Sequence, residues 1–86
     1  MISTPNDGNT LLHFAARDGN IVLIDSLLKC GQGINTQNGL GRTPLHIAYK
    51  EGKLEAAVHL IQHGADTNIR DNDGNMPSEL ETCGMK

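Results

Sequence analysis

The apolar residues of the chain form short groups that are separated by polar stretches rich in glycine and asparagine. Two groups have the spacing of one helix face, namely Ile21, Ile24, Leu27 and Leu28 in the first and Leu54, Ala57, Leu60 and Ile61 in the second. Each group predicts a short amphipathic helix. The polar stretches at residues 31–41 and 64–74 contain the turn-forming pairs Asn38-Gly39 and Asp73-Gly74. We expect each stretch to project as a hairpin-like finger.

The whole pattern occurs twice in succession. Residues 8–40 align with residues 41–73 without a gap and share nine identities, most of them at small or turn-forming residues. A partial third copy spans residues 74–86. Two short helices are unstable alone in water and persist by stacking on an equivalent pair. The repeat therefore predicts one domain, residues 1–86, built as an all-α solenoid of antiparallel helix pairs with projecting hairpin-like loops.

The start and end of the first helix in each copy have recognisable signals. Thr43 is a suitable N-cap, Pro44 suits the first helical position, and Gly52 suits a left-handed helix end. A histidine three residues after the threonine lies on the same helix face, where its ring can accept from the hydroxyl and donate to a backbone carbonyl. We predict structural roles for the residues that recur in this way: Thr10, His13 and Gly19 in the first copy, and Thr43, His46 and Gly52 in the second.

The 33-residue unit, with the motifs GRTPLHIA at residues 41–48 and LIQHGADTN at residues 60–68, resembles the ankyrin repeat. The resemblance covers about residues 5–83. It implies a curved stack whose concave face is made of fingers and first helices, and it implies protein–protein recognition without catalysis. The third copy departs most from the family pattern, since Ser78, Glu79 and Glu81 replace a leucine, a histidine and an alanine.

The resemblance also implies which positions meet a partner, because ankyrin repeats bind with their finger tips and the exposed face of the first helices. The positions are Asn9, Arg17, Asp18, Leu40, Arg42, Tyr49, Lys50, Glu51 and Asp73. Leu40 and Tyr49 each have two interpretations that the sequence leaves open. Leu40 either contacts a partner or covers a neighbouring finger, and Tyr49 either contacts a partner or fills space in the stack.

Charge and composition narrow the class of partner. The net charge is −3, the isoelectric point is about 5.7, and the basic residues are scattered, which argues against a nucleic-acid binder. No apolar run approaches the ~18 residues of a membrane span. Cys30 and Cys83 lie far apart, so a disulfide framework is unsupported. We expect a cytoplasmic protein in a reducing compartment that binds protein without inserting into a membrane.

The sequence offers few residues that are suited to catalysis or to metal binding. His59 and His63 have the spacing of two zinc ligands on a helix, but no acidic residue lies between them. The segment DNDGN at residues 71–75 has the start of a calcium loop without its later glutamate, and turn formation explains it better. No nucleophile recurs beside His13 or His46. We therefore predict no enzyme activity, no cofactor and no metal.

The stack is short for a repeat protein. Leu12, Phe14, Ile21 and Ile24 have no preceding copy to cover them. If these side chains stayed in water, each would forgo about 1.5–3 kcal/mol of burial. We expect the chain to self-associate or to be a piece of a longer array. The leading function is a protein-binding module that uses its concave face, and the alternative is an assembly element that stacks through its open repeat ends.

Overall fold

The computed structural model describes residues 8–80, which contain four α-helices, one 3₁₀ helix and no strand. The helices are α1 (Leu11–Asp18), α2 (Ile21–Lys29), α3 (Pro44–Lys50) and α4 (Leu54–Gln62), followed by the 3₁₀ helix Pro77–Leu80. Helices α1 and α2 pack together, as do α3 and α4, and the second pair stacks on the first through the contacts α1–α3 and α2–α4. The predicted all-α fold of stacked helix pairs is confirmed.

The two first helices begin and end in the same way because their end residues recur. Thr10 Oγ1 accepts from the backbone N–H of His13 at 3.3 Å, and Thr43 Oγ1 accepts from that of His46 at 3.4 Å. Gly19 and Gly52 follow the helices with φ of 70° and 74°, a left-handed conformation that glycine adopts without steric cost. The chain can therefore reverse direction into α2 and α4.

The core lies between the helix pairs and is built from aliphatic side chains and alanine. Its largest apolar members, Leu12, Ile24, Leu45 and Leu60, are fully buried. Alanines fill the rest of the core, at positions 15, 16, 48, 56, 57 and 65. Because an alanine adds only a methyl group, the helix backbones can approach closely without an aromatic centre.

The buried stripe of α4 differs from the predicted one. Ala56, Ala57 and Leu60 are buried, whereas Leu54 and Ile61 are exposed. The prediction was wrong at these two positions because α4 packs chiefly against α2 and α3 among the described elements. No helix within residues 8–80 covers the outer side of α4, so the apolar residues on that side meet solvent.

The expected exposure at the open end of the stack was also wrong in part. Leu12 and Ile24 are fully buried in the same cluster as Leu45, because both reach into the space between the two helix pairs. Ile21 is half-buried against that cluster, and Phe14 is exposed as expected. The most exposed apolar side chains of this pair are instead Leu11 and Val22.

Both fingers are closed by backbone hydrogen bonds at their tips. In the first finger (residues 31–41), Asn38 N–H donates to the Arg42 carbonyl and Gly41 N–H donates to the Asn38 carbonyl, both at 2.9 Å. The second finger (residues 64–74) has the same arrangement at the equivalent positions Asp71, Gly74 and Asn75. The turns are centred on Gly39-Leu40 and Asn72-Asp73, one residue away from the predicted pairs at Asn38-Gly39 and Asp73-Gly74. Leu40 therefore lies at a finger tip.

Within the described residues, no helix is both long and apolar enough to cross a bilayer. Cys30 is exposed and has a free thiol. The expectations that concern Glu81, Cys83 and the end of the third copy fall outside the described residues. So do the boundaries of the domain at both chain ends.

Candidate protein-binding face

Each of the two inner histidines, His13 and His46, connects the start of its own helix to the base of the next finger. The Nδ1 atom of His13 accepts from the backbone N–H of Thr10 at 3.0 Å and lies 2.9 Å from its hydroxyl. The Nε2 atom lies 2.8 Å from the carbonyl of Arg42. His46 repeats this geometry with Thr43 and with the carbonyl of Asn75, at 2.9 Å.

These contacts determine the protonation state of the rings. A carbonyl only accepts, so Nε2 must carry the hydrogen, and a backbone N–H only donates, so Nδ1 must offer its lone pair. Burial lowers the pKa of His13 below its ordinary value of 6.5, against the opposing effect of the Arg42 carbonyl, and the nearby His46 lowers it further. His13 therefore braces the fold as a neutral ring. A ring held this way has no lone pair left for general-base catalysis.

The fingers are also tied to each other and to the chain before α1. Asn38 Nδ2 donates to Asn9 Oδ1 at 2.7 Å, and Asn72 N–H donates to the Leu40 carbonyl at 2.8 Å. Gly41 has φ of 77° where the second finger comes closest, and a Cβ there would lie 2.7 Å from the backbone nitrogen of Asn72. Only glycine fits at that position. The fingers thus form one preformed row.

Arg42 takes part in this row through an ion pair. Its Nε donates to Asp71 Oδ2 at 3.2 Å, and its side chain is only 16% exposed. The other carboxylate oxygen, Oδ1, accepts from the backbone N–H groups of Asp73 and Asn75, both at 2.9 Å. Burial opposes ionisation of Asp71, but the bonds from Asn75, Arg42 and Asp73 outweigh it and lower the pKa of the carboxyl. Asp71 therefore braces the second finger as a charged group.

A concave depression of about 350 Å³ lies between the first helices and the first finger. We call this depression the inner groove. Its lining residues are Asn9, His13, Phe14, Arg17, Asn38, Leu40, Arg42, Ile47, Lys50 and Glu51. Phe14 and Leu40 are exposed and Ile47 is half-buried, so the groove presents apolar surface beside the charges of Arg17, Lys50 and Glu51.

The inner groove brings together six of the nine positions that the resemblance implied, namely Asn9, Arg17, Leu40, Arg42, Lys50 and Glu51. Asp18 lies instead beside the turns that follow α1 and α3. Tyr49 is half-buried against the core, and Asp73 is exposed at the tip of the second finger. A contact of any of these residues with a partner stays a prediction.

The inner groove also contains two apolar residues that the predicted set lacks, Phe14 and Ile47. Both follow a bracing histidine directly, so they occupy equivalent positions in the two copies. This recurrence was the signal that would have found them. A position that stays apolar on the first helix while its side chain remains accessible is suited to binding.

A second cluster of polar side chains lies on the outer helices. His59 and His63 lack an acidic neighbour in sequence, but Asp25 of α2 reaches them in the fold. Asp25 Oδ1 lies 3.8 Å from His59 Nε2 and 3.7 Å from His63 Nε2. Among the described residues, this is the group of histidine and carboxylate side chains that could hold a metal ion.

The helix pairs, the braced helix starts and the row of fingers define a helical-repeat protein. The chain matches the family described as "Ankyrin repeats (3 copies)" over residues 2–71, which is most of its length. The chain belongs to the ankyrin-repeat family.

Several known proteins are similar to the chain in sequence. The chain is 40% identical over 73 residues to the human "Protein phosphatase 1 regulatory subunit 27", covering 85% of this chain and 47% of the relative. It is 37% identical over 78 residues to the chicken "NF-kappa-B inhibitor alpha", covering 86% of this chain and 24% of the relative. A 39% identical match to the Arabidopsis thaliana "ADP-ribosylation factor GTPase-activating protein AGD2" covers 78% of this chain and 9% of that protein.

The chain thus spans about half the length of the phosphatase regulatory subunit and much less of the other two proteins. Ankyrin repeats are protein-interaction modules, and the relatives include a regulatory subunit and an inhibitor. The family and these relatives indicate a role in protein interaction. The match to a GTPase-activating protein does not alter this, since it concerns a small part of that protein.

Proposed function

We propose that the chain binds a segment of a protein partner in the inner groove. The observation that supports this is the exposed apolar surface of Phe14 and Leu40 inside a concave site that both repeats line. Such surface loses contact with water when an apolar side chain of the partner enters, and buried apolar anchors dominate the affinity of most interfaces. The site has the shape of a receptor for one or two anchoring side chains.

The charges around the inner groove suggest what flanks the anchor. Arg17, Arg42 and Lys50 bring three positive charges, and Glu51 brings one negative charge. Since Arg42 already pairs with Asp71, the inference rests chiefly on Arg17, whose side chain is exposed in the last turn of α1. We infer a partner segment with a leucine or aromatic anchor next to an acidic residue. That the partner is a protein and that the chain is cytoplasmic are further predictions of the same proposal.

The rigidity of the fingers supports tight binding by a small site. The first finger is tied to Asn9 on one side and to Asn72 on the other. A partner therefore meets Leu40 in place and does not have to order a loop. This saves part of the entropy that binding otherwise costs.

The proposal is tested by selecting peptides on the purified chain from a display library and measuring their affinity calorimetrically. Leu40→Ala is expected to weaken binding about ten-fold or more, as expected for an anchor contact. Val58→Ala is the matched control, because both side chains are 52% exposed and Val58 lies on the outer helix α4. Unchanged affinity in Leu40→Ala would refute the inner groove as the binding site.

The alternative, an assembly element, has one observation in its favour. Val22 is 77% exposed, and Leu11 and Val58 are also exposed on the helix pairs. Sedimentation of the same two variants separates the functions. If Val58→Ala changes the oligomeric state or the affinity while Leu40→Ala does not, the outer apolar surface is the functional one.

A further inference from the structure

Asp25, His59 and His63 form a compact cluster on the outer helices, which we call the outer cluster. Asp25 comes from α2 of the first repeat, and the histidines lie one turn apart at the end of α4 in the second. One potential ligand atom from each residue lies within 4.8 Å of the other two. The cluster is separate from the inner groove, whose lining comes from α1, α3, the first finger and the residues that flank these elements.

The hydrogen bonds around the outer cluster leave a lone pair of His63 and an oxygen of Asp25 available to the rest of the cluster. His63 Nδ1 lies 3.0 Å from the His59 carbonyl, so Nδ1 carries the hydrogen and Nε2 is left with its lone pair. Asp25 Oδ2 pairs with Lys29 Nζ at 3.0 Å, which leaves Oδ1 facing the imidazoles. Histidines that bind metals characteristically donate their other N–H to a carbonyl or carboxylate in this way.

His59 adds an independent observation. Its Nε2 is shielded from solvent and has no hydrogen-bond partner within the described residues. Asp25 Oδ1, at 3.8 Å, is too distant for a hydrogen bond. A buried polar atom without a partner is costly, and a bound ion or water at His59 Nε2 would remove that cost.

We propose that Asp25, His59 and His63 bind a divalent transition-metal ion of the zinc class. Zinc binds histidine nitrogen and carboxylate oxygen at about 2.0–2.2 Å, so two tetrahedral ligands lie about 3.4 Å apart. The two separations from Asp25 Oδ1, 3.8 and 3.7 Å, need to close by only a few tenths of an ångström. The two histidine nitrogens lie within 4.8 Å of each other, so this pair needs to close by at most about 1.4 Å, which rotation of the partly exposed His63 ring can supply. Two imidazoles favour zinc, copper or nickel over magnesium and calcium.

The position of the outer cluster gives the ion a structural consequence. Since Asp25 lies on the first helix pair and both histidines lie on the second, a bound ion crosslinks the two repeats. An ion that binds only the folded chain raises its stability in proportion to the logarithm of the metal concentration. Three protein ligands leave a fourth position for water, or for a ligand from a partner.

The test uses tag-free chain with Cys30→Ser and Cys83→Ser, because free thiols bind zinc themselves. Titration with zinc chloride in a calorimeter is expected to give one ion per chain. At free zinc about 100 times the dissociation constant, the Tm is expected to rise by roughly 10–20 °C. Asp25→Asn, His59→Gln and His63→Gln should each weaken binding about ten-fold or more.

Asp18→Asn is the matched control, since it removes a carboxylate that lies away from the outer cluster. The imidazole NMR signals of His59 and His63 should shift with zinc, whereas those of His13 and His46 should not. Circular dichroism checks that every variant is folded. Absence of zinc binding in the tag-free chain, or unchanged affinity in the Asp25→Asn and His59→Gln variants, would show that the cluster is only a group of ion pairs.

Discussion

The inner and outer pairs of histidines put the same side chain to two different uses. His13 and His46 are buried, and their Nε2 atoms donate to backbone carbonyls at 2.8 and 2.9 Å. The side chains of His59 and His63 are 22% and 39% exposed, and their Nε2 atoms face one carboxylate at 3.8 and 3.7 Å. Both nitrogens of each inner ring are hydrogen-bonded, whereas the outer rings have lone pairs that can bind a metal ion.

The sequence already distinguishes the two pairs by how they recur. His13 and His46 are one repeat apart, so each belongs to the scaffold that recurs with it. His59 and His63 lie within one copy, and the first copy has Ser26 and Cys30 in their places. In a repeat protein, residues that return with the period are first candidates for structure. Residues that occur in one copy only are first candidates for chemistry.

The largest effect that we expect follows from removing an inner ring. His46→Ala leaves the Thr43 N–H without its acceptor, removes one of the two donors to the Asn75 carbonyl and opens a cavity in a fully buried site. Unsatisfied buried groups cost about 1–3 kcal/mol, and the cavity adds to this. We expect a loss of about 3–4 kcal/mol in the free energy of unfolding, measured with urea. This is a large share of the stability of a small domain, which is about 5–15 kcal/mol.

The matched control is the outer histidine that follows the last residue of α4. In metal-free buffer, His63→Ala removes a contact on a partly exposed ring, and we expect a loss below about 1 kcal/mol. Equal losses in the two variants would contradict the distinction between the inner and outer pairs.

A smaller effect is expected from the residue that holds the inner ring in place. Thr43→Val keeps the shape of the side chain but removes the hydroxyl that caps α3 and lies 2.8 Å from His46 Nδ1. Loss of an N-cap costs about 1–2 kcal/mol, and we expect a loss of this size in urea denaturation of the variant. Thr67→Val is the control, because Thr67 is exposed and lies in the second finger. It should unfold at nearly the same urea concentration as the wild type, and equal losses in both variants would argue against the cap.

Much of the fold could be predicted because its signals are local. The caps at Thr10 and Thr43 and the reversals at Gly19 and Gly52 each need only a few residues of sequence. The repeat period then showed that these local signals belong to equivalent helix pairs, and this predicted a stack. The two exposed positions of α4, Leu54 and Ile61, could not be predicted, because burial on that side depends on whether another helix covers it.

The features of the candidate sites that the sequence did not predict are contacts between repeats. Arg42 was predicted to meet a partner, but the fold also pairs it with Asp71 of the next finger. Asp25 joins His59 and His63 from the preceding helix pair. Such contacts depend on the register and rotation of one helix pair on the next. Local sequence signals such as caps, turns and hydrophobic spacing do not report that register.

The smallest expected effect is a dependence of stability on pH that comes from an inner ring. The pKa of folded His13 lies below 6.5, chiefly because of burial, so the unfolded chain takes up the proton first as the pH falls. The contribution of His13 to the free energy of unfolding is present above pH 6.5. It is lost as the pH falls from 6.5 towards the pKa that His13 has in the folded chain. Because one proton is involved, the slope stays below about 1.4 kcal/mol per pH unit.

Urea unfolding of the wild type and of His13→Gln across about pH 5–8, the range in which histidine titrates, isolates this effect. The difference between the two curves reports His13 together with its electrostatic interaction with His46. Metal-free buffer keeps the outer cluster from adding a dependence of its own. We expect the stability lost by His13→Gln to shrink as the pH falls below 6.5. A difference that stays constant would mean that His13 becomes protonated as readily in the folded chain as in the unfolded chain.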